Sequence, residues 1–207
     1  NINFLFITTM RTFNTSGITP QRKIIGTNDK FGNSGIKNQQ GSTVVLYDTL
    51  PLDGRNEFRF FEGSAQRNFP LSNTGSQGNQ LGVGSSMTVE RAYLSLVTLD
   101  PDGVIVSIAP LSLIGPQAAL SGGEFGFQVA NSDVIKKVPV LSWFPQFNKN
   151  AENQINNSFD FDTQVVIPPL LEYVASFRAP NYSLVANTYL RLTIEGAGAI
   201  IAPRATF

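Results

Sequence analysis

Residues 188–196 read Thr-Tyr-Leu-Arg-Leu-Thr-Ile-Glu-Gly, and their alternation decides the fold class. Leu190, Leu192 and Ile194 share one parity, while Tyr189, Arg191, Thr193 and Glu195 share the other. In an extended chain successive side chains point to opposite faces, so the run predicts a strand with one face in a core and one in solvent. Two preceding runs repeat the pattern. Leu171, Tyr173, Ala175 and Phe177 alternate with Glu172, Val174, Ser176 and Arg178. Phe159, Phe161, Thr163, Val165 and Ile167 alternate with Asp160, Asp162, Gln164 and Val166.

Further upstream, weaker strands are expected at Ile2–Thr8, Thr43–Asp48, Glu57–Phe61, Gly103–Ile108, Glu124–Ala130 and Val134–Leu141. The run Met87–Leu99 changes phase: Met87 and Val89 lie on one parity, Ala92, Leu94 and Leu96 on the other. One extra residue near Glu90–Arg91, a β-bulge, accounts for the switch. No stretch shows a helical period. The 18 Gly and 12 Pro fall mostly between the runs, as in Asp100-Pro-Asp-Gly103 and Pro168-Pro169, which read as turns. Short strands with frequent turns predict an all-β sandwich or barrel.

Two segments lack this patterning. Residues 9–42 are rich in Thr, Asn, Gly and Gln, and residues 63–86 are rich in Gly, Ser and Asn. Both exceed ordinary hairpin connections. Residues 1–42 hold Arg11, Arg22, Lys23, Lys30 and Lys37 against Asp29, a local charge of +4, while the remaining residues balance it at −4. The domain reading is therefore an N-terminal strand and extended basic arm over 1–42, followed by a β-sandwich over 43–207. Such an arm contacts phosphate or anionic headgroups, or packs on a neighbouring subunit; five basic residues are sparse, which favours the second.

Composition bounds the chemistry. The chain has 207 residues, 14% of them charged, with no His and no Cys; an average globular protein is about 25% charged. Without His and Cys there is no Ser-His-Asp or Cys-His nucleophile, no His/Cys zinc site and no thiol redox chemistry. The absence of Cys fits a reducing cytoplasm rather than a disulfide-stapled secreted domain. No window of 18 apolar residues suggests a membrane helix, and Ile2–Ile7 is too short for the core of a signal peptide. The sequons at Asn14, Asn156 and Asn181 read as chance in so Asn- and Ser-rich a chain.

Each chemical motif has a plainer explanation. Asp160 and Asp162 are spaced to share a cation or to act as an acid/base pair, but an i,i+2 pair with no third ligand is ordinary surface. Asp100 and Asp102 begin like a calcium loop, but Gly103 comes too early and Leu111 stands where a Glu is needed. Gly75, Gly78, Gly82 and Gly84 resemble a phosphate loop, but no Gly-Lys-Ser/Thr follows. Ser34 and Lys37 match Ser-x-x-Lys spacing but sit in a Gly/Asn-rich stretch where no helix is expected. Trp143, Phe144 and Phe147 form either a carbohydrate-stacking platform, or a plug closing one end of a sandwich or a contact buried at a subunit interface, and 16 Phe among 22 aromatic residues (16 Phe, 5 Tyr, 1 Trp) suits burial. The expected site residues are therefore none: no catalytic, cofactor-binding or metal-binding residue is assigned, no cofactor is expected, and the chain is not expected to be an enzyme.

The final third, Phe159-Asp-Phe-Asp-Thr-Gln-Val-Val-Ile-Pro-Pro-Leu through Leu190-Arg-Leu-Thr-Ile-Glu-Gly-Ala-Gly-Ala-Ile, resembles viral capsid jelly rolls. Leu46-Tyr-Asp-Thr-Leu-Pro-Leu-Asp-Gly-Arg55 with Phe58-Arg-Phe-Phe61 is similar to capsid proteins of small icosahedral, lipid-containing single-stranded DNA phages. The likeness is architectural, spans about 160 residues in the sense of a single jelly-roll domain, and transfers no catalytic residue. It implies a jelly-roll β-sandwich of viral capsid type, with a compact double jelly roll as the alternative. It also implies a structural virion role: self-assembly into an icosahedral shell enclosing a genome, with assembly in the host cytoplasm. The implied partners are copies of the chain and other capsid proteins, with the arm contacting genome or an inner membrane, and no small-molecule substrate. The competing expectation is a non-enzymatic binding module, lectin-like or receptor-binding.

Overall fold

The structure, a computed structural model, describes residues 39–62, 69–74, 78–144 and 157–201. Among them run nine strands: β1 Gln39–Pro51, β2 Glu57–Phe60, β3 Ser85–Leu99, β4 Ile105–Pro110, β5 Glu124–Val129, β6 Ser132–Pro139, β7 Ser158–Ile167, β8 Tyr173–Arg178 and β9 Thr188–Ile201. The only helical pieces among the described residues are short 3-10 turns at Ala118–Gly122 and Val140–Trp143. The protein is an all-β sandwich of two antiparallel sheets. The strand expected at Ile2–Thr8 lies outside the described residues.

One sheet runs β1-β9-β3, and two strands share the far side of β3. β7 takes Met87–Tyr93 and β4 takes Ser95–Leu99. The other sheet runs β2-β8-β5-β6. With β4 set aside, the pairing is nested: β1 pairs with β9, β2 with β8, β3 with β7 and β5 with β6. First therefore meets last, second meets second-last, and so inward to the β5–β6 hairpin. The pairs β3·β9 and β5·β8 join neighbouring layers of this ribbon.

Strand periodicity explains the core. Leu190, Leu192 and Ile194 on β9 are fully buried, with Met87, Val89, Ala92 and Leu94 on β3, Val165 and Ile167 on β7, and Leu50 on β1. The facing sheet contributes Phe58, Phe60, Phe125, Phe127, Tyr173, Ala175 and Phe177. One layer is thus aliphatic and the other largely aromatic. Each fully buried side chain of this size contributes roughly 1.5–3 kcal/mol.

The phase change in the long run is a bulge: the register of β3 shifts between Val89 and Arg91 against both β7 and β9. Beside it the two backbones come very close. A β-carbon on Gly196 would lie 1.9 Å from the Thr88 carbonyl oxygen, a position only glycine can fill. The Asp100–Gly103 turn also forms as expected. Asp100 Oδ1 accepts from the Asp102 and Val104 amides at 3.0 and 2.7 Å, and Gly103 takes φ +80.

Several expectations need correction. The second face of the 188–196 run is not open to solvent, because Arg191 and Thr193 are only 8% and 5% exposed. Pro70 reaches that face, where Arg191 donates to its carbonyl at 2.8 Å. β1 begins at Gln39 rather than Thr43, since Gln39–Ser42 pair with Ile201–Gly198. Residues 9–42 are therefore not loop throughout, and β3 takes Ser85 and Ser86 from the expected 63–86 loop. Leu171 is exposed, because β8 starts at Tyr173. The last residues expected in the Val134–Leu141 strand turn into the 3-10 segment at Val140.

Candidate interaction surface

The residues singled out for chemistry are dispersed. Asp160 is ion-paired to Arg91, with its Oδ1 2.8 Å from Nε, and the same guanidinium reaches Glu195 Oε1 at 3.2 Å. This exposed triad crosses β7, β3 and β9. Its carboxylates hold the Arg91 charge, raising its pKa through the Asp160 hydrogen bond first. Among the described residues no group of three acidic, His or Cys side chains is placed to hold a metal. Gly82 and Gly84 belong to a tight turn entering β3, closed by the Ser85 amide on the Gly82 carbonyl at 3.0 Å. Ser34, Lys37, Gly75, Phe147, Asn14 and Asn156 lie outside the described residues.

Trp143 and Phe144 are 1% and 3% exposed, so neither offers a face to a sugar. Trp143 meets Phe125 edge-on at 5.1 Å and Phe159 at 5.7 Å between ring centroids. Phe159 and Phe161 in turn contact each other at 5.1 Å, and Phe161 meets Phe127 at 6.3 Å. The cluster closes the side of the sandwich between β7 and β5, as a plug does.

The outer face of the large sheet carries a buried cation. Arg191 Nε donates to Thr49 Oγ1 at 2.9 Å, and its guanidinium stacks on Tyr47 at 4.4 Å. Burial lowers its pKa, while Tyr47 and Tyr93 act in the opposite direction. On the outer face of the small sheet, Arg178 is the cross-strand neighbour of both Glu57 and Glu124. That acid–base–acid rung is ordinary sheet stabilisation. Neither arrangement brings a nucleophile and a base together.

The informative surface is one end of the sandwich. Gln39 pairs with Ile201, and Ser85 pairs with Ile200, so the two ends of the described domain leave side by side. A cleft of about 250 Å³ opens there, lined by Val44, Leu46, Leu81, Ser42, Ser86 and Tyr173. Its wall is largely apolar, and the buried hydroxyl of Ser42 has no hydrogen-bond partner among the described residues. None of the described residues that line it is acidic or basic. Sequence reading missed this end because the strand Gln39–Ser42 has no apolar alternation and owes its conformation to pairing with β9.

No family model matches the chain, and no curated protein matches it. No helix among the described residues is long and apolar enough to cross a membrane.

Proposed function

We propose that the chain is a structural virion protein: a single jelly-roll capsid subunit that assembles with copies of itself and with other capsid proteins into an icosahedral shell around a genome. The observation that carries this reading is the nested pairing of β1 with β9, β2 with β8, β3 with β7 and β5 with β6. Wrapping one long antiparallel ribbon around a core produces that order, and two sheets of four such strands make a jelly roll, an architecture used by viral capsids and lectins. β4 is then an added strand on the β3 edge. A double jelly roll would need about 16 strands, more than the nine among the described residues.

Three further features support a shell role over a lectin-like one. The aromatic side chains that would have served as a sugar platform, Trp143 and Phe144, are buried. Charge is scarce, at 14% of the chain, which suits wide interfaces where unpaired charge is costly. The N-terminal segment joins the sandwich beside the end of β9, and with its +4 charge it serves as an arm reaching neighbouring subunits, genome or an inner membrane. The protein acts in the virion, after assembly in the host cytoplasm, without catalysis or cofactor.

Light scattering on the purified full chain across a series of salt and pH tests this reading. Assembly into large particles of narrow size distribution is expected. A monomer under every condition, with and without companion capsid proteins, would overturn it.

A further inference from the structure

At one end of the sandwich the large sheet stops supplying core side chains. By strand parity the core-facing positions of β9 run Leu190, Leu192, Ile194, Gly196 and Gly198, paired with Leu50, Asp48, Leu46, Val44 and Ser42 of β1. The two glycines cannot give way to larger residues. A β-carbon on Gly196 would lie 1.9 Å from the Thr88 carbonyl oxygen, and one on Gly198 would lie 2.5 Å from Val44 Cγ2 and 2.7 Å from Ser42 Oγ. Protein interiors are otherwise close-packed, so this end of the core stays open for a reason built into the backbone.

The cleft of about 250 Å³ lies against this stretch, between the sheets. Ser42, Val44 and Leu46 line it from β1, Tyr173 from β8, and Leu81 from the chain that leads into β3. Val44, Leu46 and Leu81 pack on the core but are only partly buried. In the wall, Ser42 Oγ is buried and has no hydrogen-bond partner among the described residues. Buried hydroxyls are normally satisfied, and one that is not points to an absent partner.

We propose that the cleft binds a small uncharged amphiphile, an aliphatic chain of about six to ten heavy atoms ending in a hydroxyl. The chain lies against Val44, Leu46, Leu81 and the Tyr173 ring, and its hydroxyl bonds Ser42 Oγ. Size, wall and hydroxyl each point to this guest. An apolar cavity of roughly 150 Å³ already holds benzene, so the cleft suits a slightly larger molecule. The open aliphatic wall favours a hydrocarbon chain, because apolar area then leaves water. A serine hydroxyl both donates and accepts, so a neutral hydroxyl satisfies it in either direction, whereas a pure hydrocarbon leaves it unpaired. An ionised head would lose hydration without finding an acidic or basic lining residue to compensate it. The site needs one folded subunit and stands apart from the shell reading.

Saturation-transfer NMR on the full chain, titrated with hexanol and with hexanoate at neutral pH, tests it on single subunits and large particles alike. Hexanol should bind saturably with a Kd below about 1 mM. Hexanoate, with the same chain and an ionised head, should bind at least about tenfold more weakly. Ser42→Ala removes only the hydroxyl and should weaken hexanol about threefold or more. Leu81→Trp and Val44→Phe add bulk to the cleft from two different elements, so either one serves if the other fails to fold, and circular dichroism checks both. Each folded variant should lose saturable binding. Hexanol that does not saturate on wild type, hexanoate that binds as tightly, a Ser42→Ala variant that binds hexanol unchanged, or filled variants that still bind would overturn the proposal.

Discussion

The guanidinium carbon of Arg191 lies 4.4 Å from the centroid of the Tyr47 ring, on the side of the large sheet turned away from the core. The same group ties Thr49 of β1 and the Pro70 carbonyl to β9. Strand and covering chain are thereby joined across more than a hundred residues of sequence. Replacing Arg191 by Met removes two charge-assisted hydrogen bonds and the ring contact, and should cost about 2 kcal/mol or more. Arg191→Lys keeps the charge but not the fork, and should recover only part of the loss. Urea unfolding midpoints at constant slope check both; a change under about 0.5 kcal/mol for the Met variant would contradict the account.

Gly196 and Gly82 make a matched pair. Alanine at Gly196 would drive a β-carbon into the Thr88 backbone, whereas alanine at Gly82 meets nothing within 4 Å. Gly196→Ala should destabilise by about 1–3 kcal/mol or abolish folding, as overpacking against backbone does. Gly82→Ala should stay within about 0.5 kcal/mol of wild type. Thermal unfolding of the two variants side by side measures the contrast.

Asn73→Ala should open the β1 edge. It removes the acceptor of the Tyr47 amide and the donor to the Val45 carbonyl, each a net contribution of about 1 kcal/mol. Amide exchange at Tyr47 should accelerate markedly while the core amides of β9 stay protected. Unchanged exchange at Tyr47 would show that the side chain does not guard the edge.

Tyr173 sets an alkaline limit. Burial raises its pKa well above that of an ordinary tyrosine, with Asp48 adding to the effect. The folded protein thus prefers the neutral phenol. That stability is fully present below the unfolded pKa near 10 and is lost as pH rises above it. Trp143 fluorescence followed through this range should report unfolding, and Tyr173→Phe should move the transition to higher pH. Tyr182, also raised by burial, remains as a smaller contributor.

Where a strand's character is written locally, the sequence revealed it. The parity switch between Val89 and Ala92 located the bulge, and Leu190, Leu192 and Ile194 identified the buried face of β9. Features that depend on distant chain were not legible. Arg191 looks solvent-facing until Pro70 and Tyr47 are brought against it. Gln39–Ser42 look like loop until β9 supplies their hydrogen bonds. Phe61 continues the apolar run of β2, yet it takes φ +62 and leaves the strand, its amide bound to buried Asp48 Oδ2 at 2.7 Å. The nested strand order is equally a property of long-range pairing, and alternation by itself never specifies which strands meet. Trp143 and Phe144 were legible as buried because a Phe-rich composition favours burial, but the ring partners of Trp143, Phe125 and Phe159, became visible only in the packed sandwich.

Negative-stain electron microscopy of the purified full chain, imaged after a salt and pH series, addresses the central claim most directly. The account predicts closed, roughly spherical shells of uniform diameter, alone or with companion capsid proteins. Fields of dispersed small particles of single-subunit or dimer size under all conditions, with and without such companions, would contradict it.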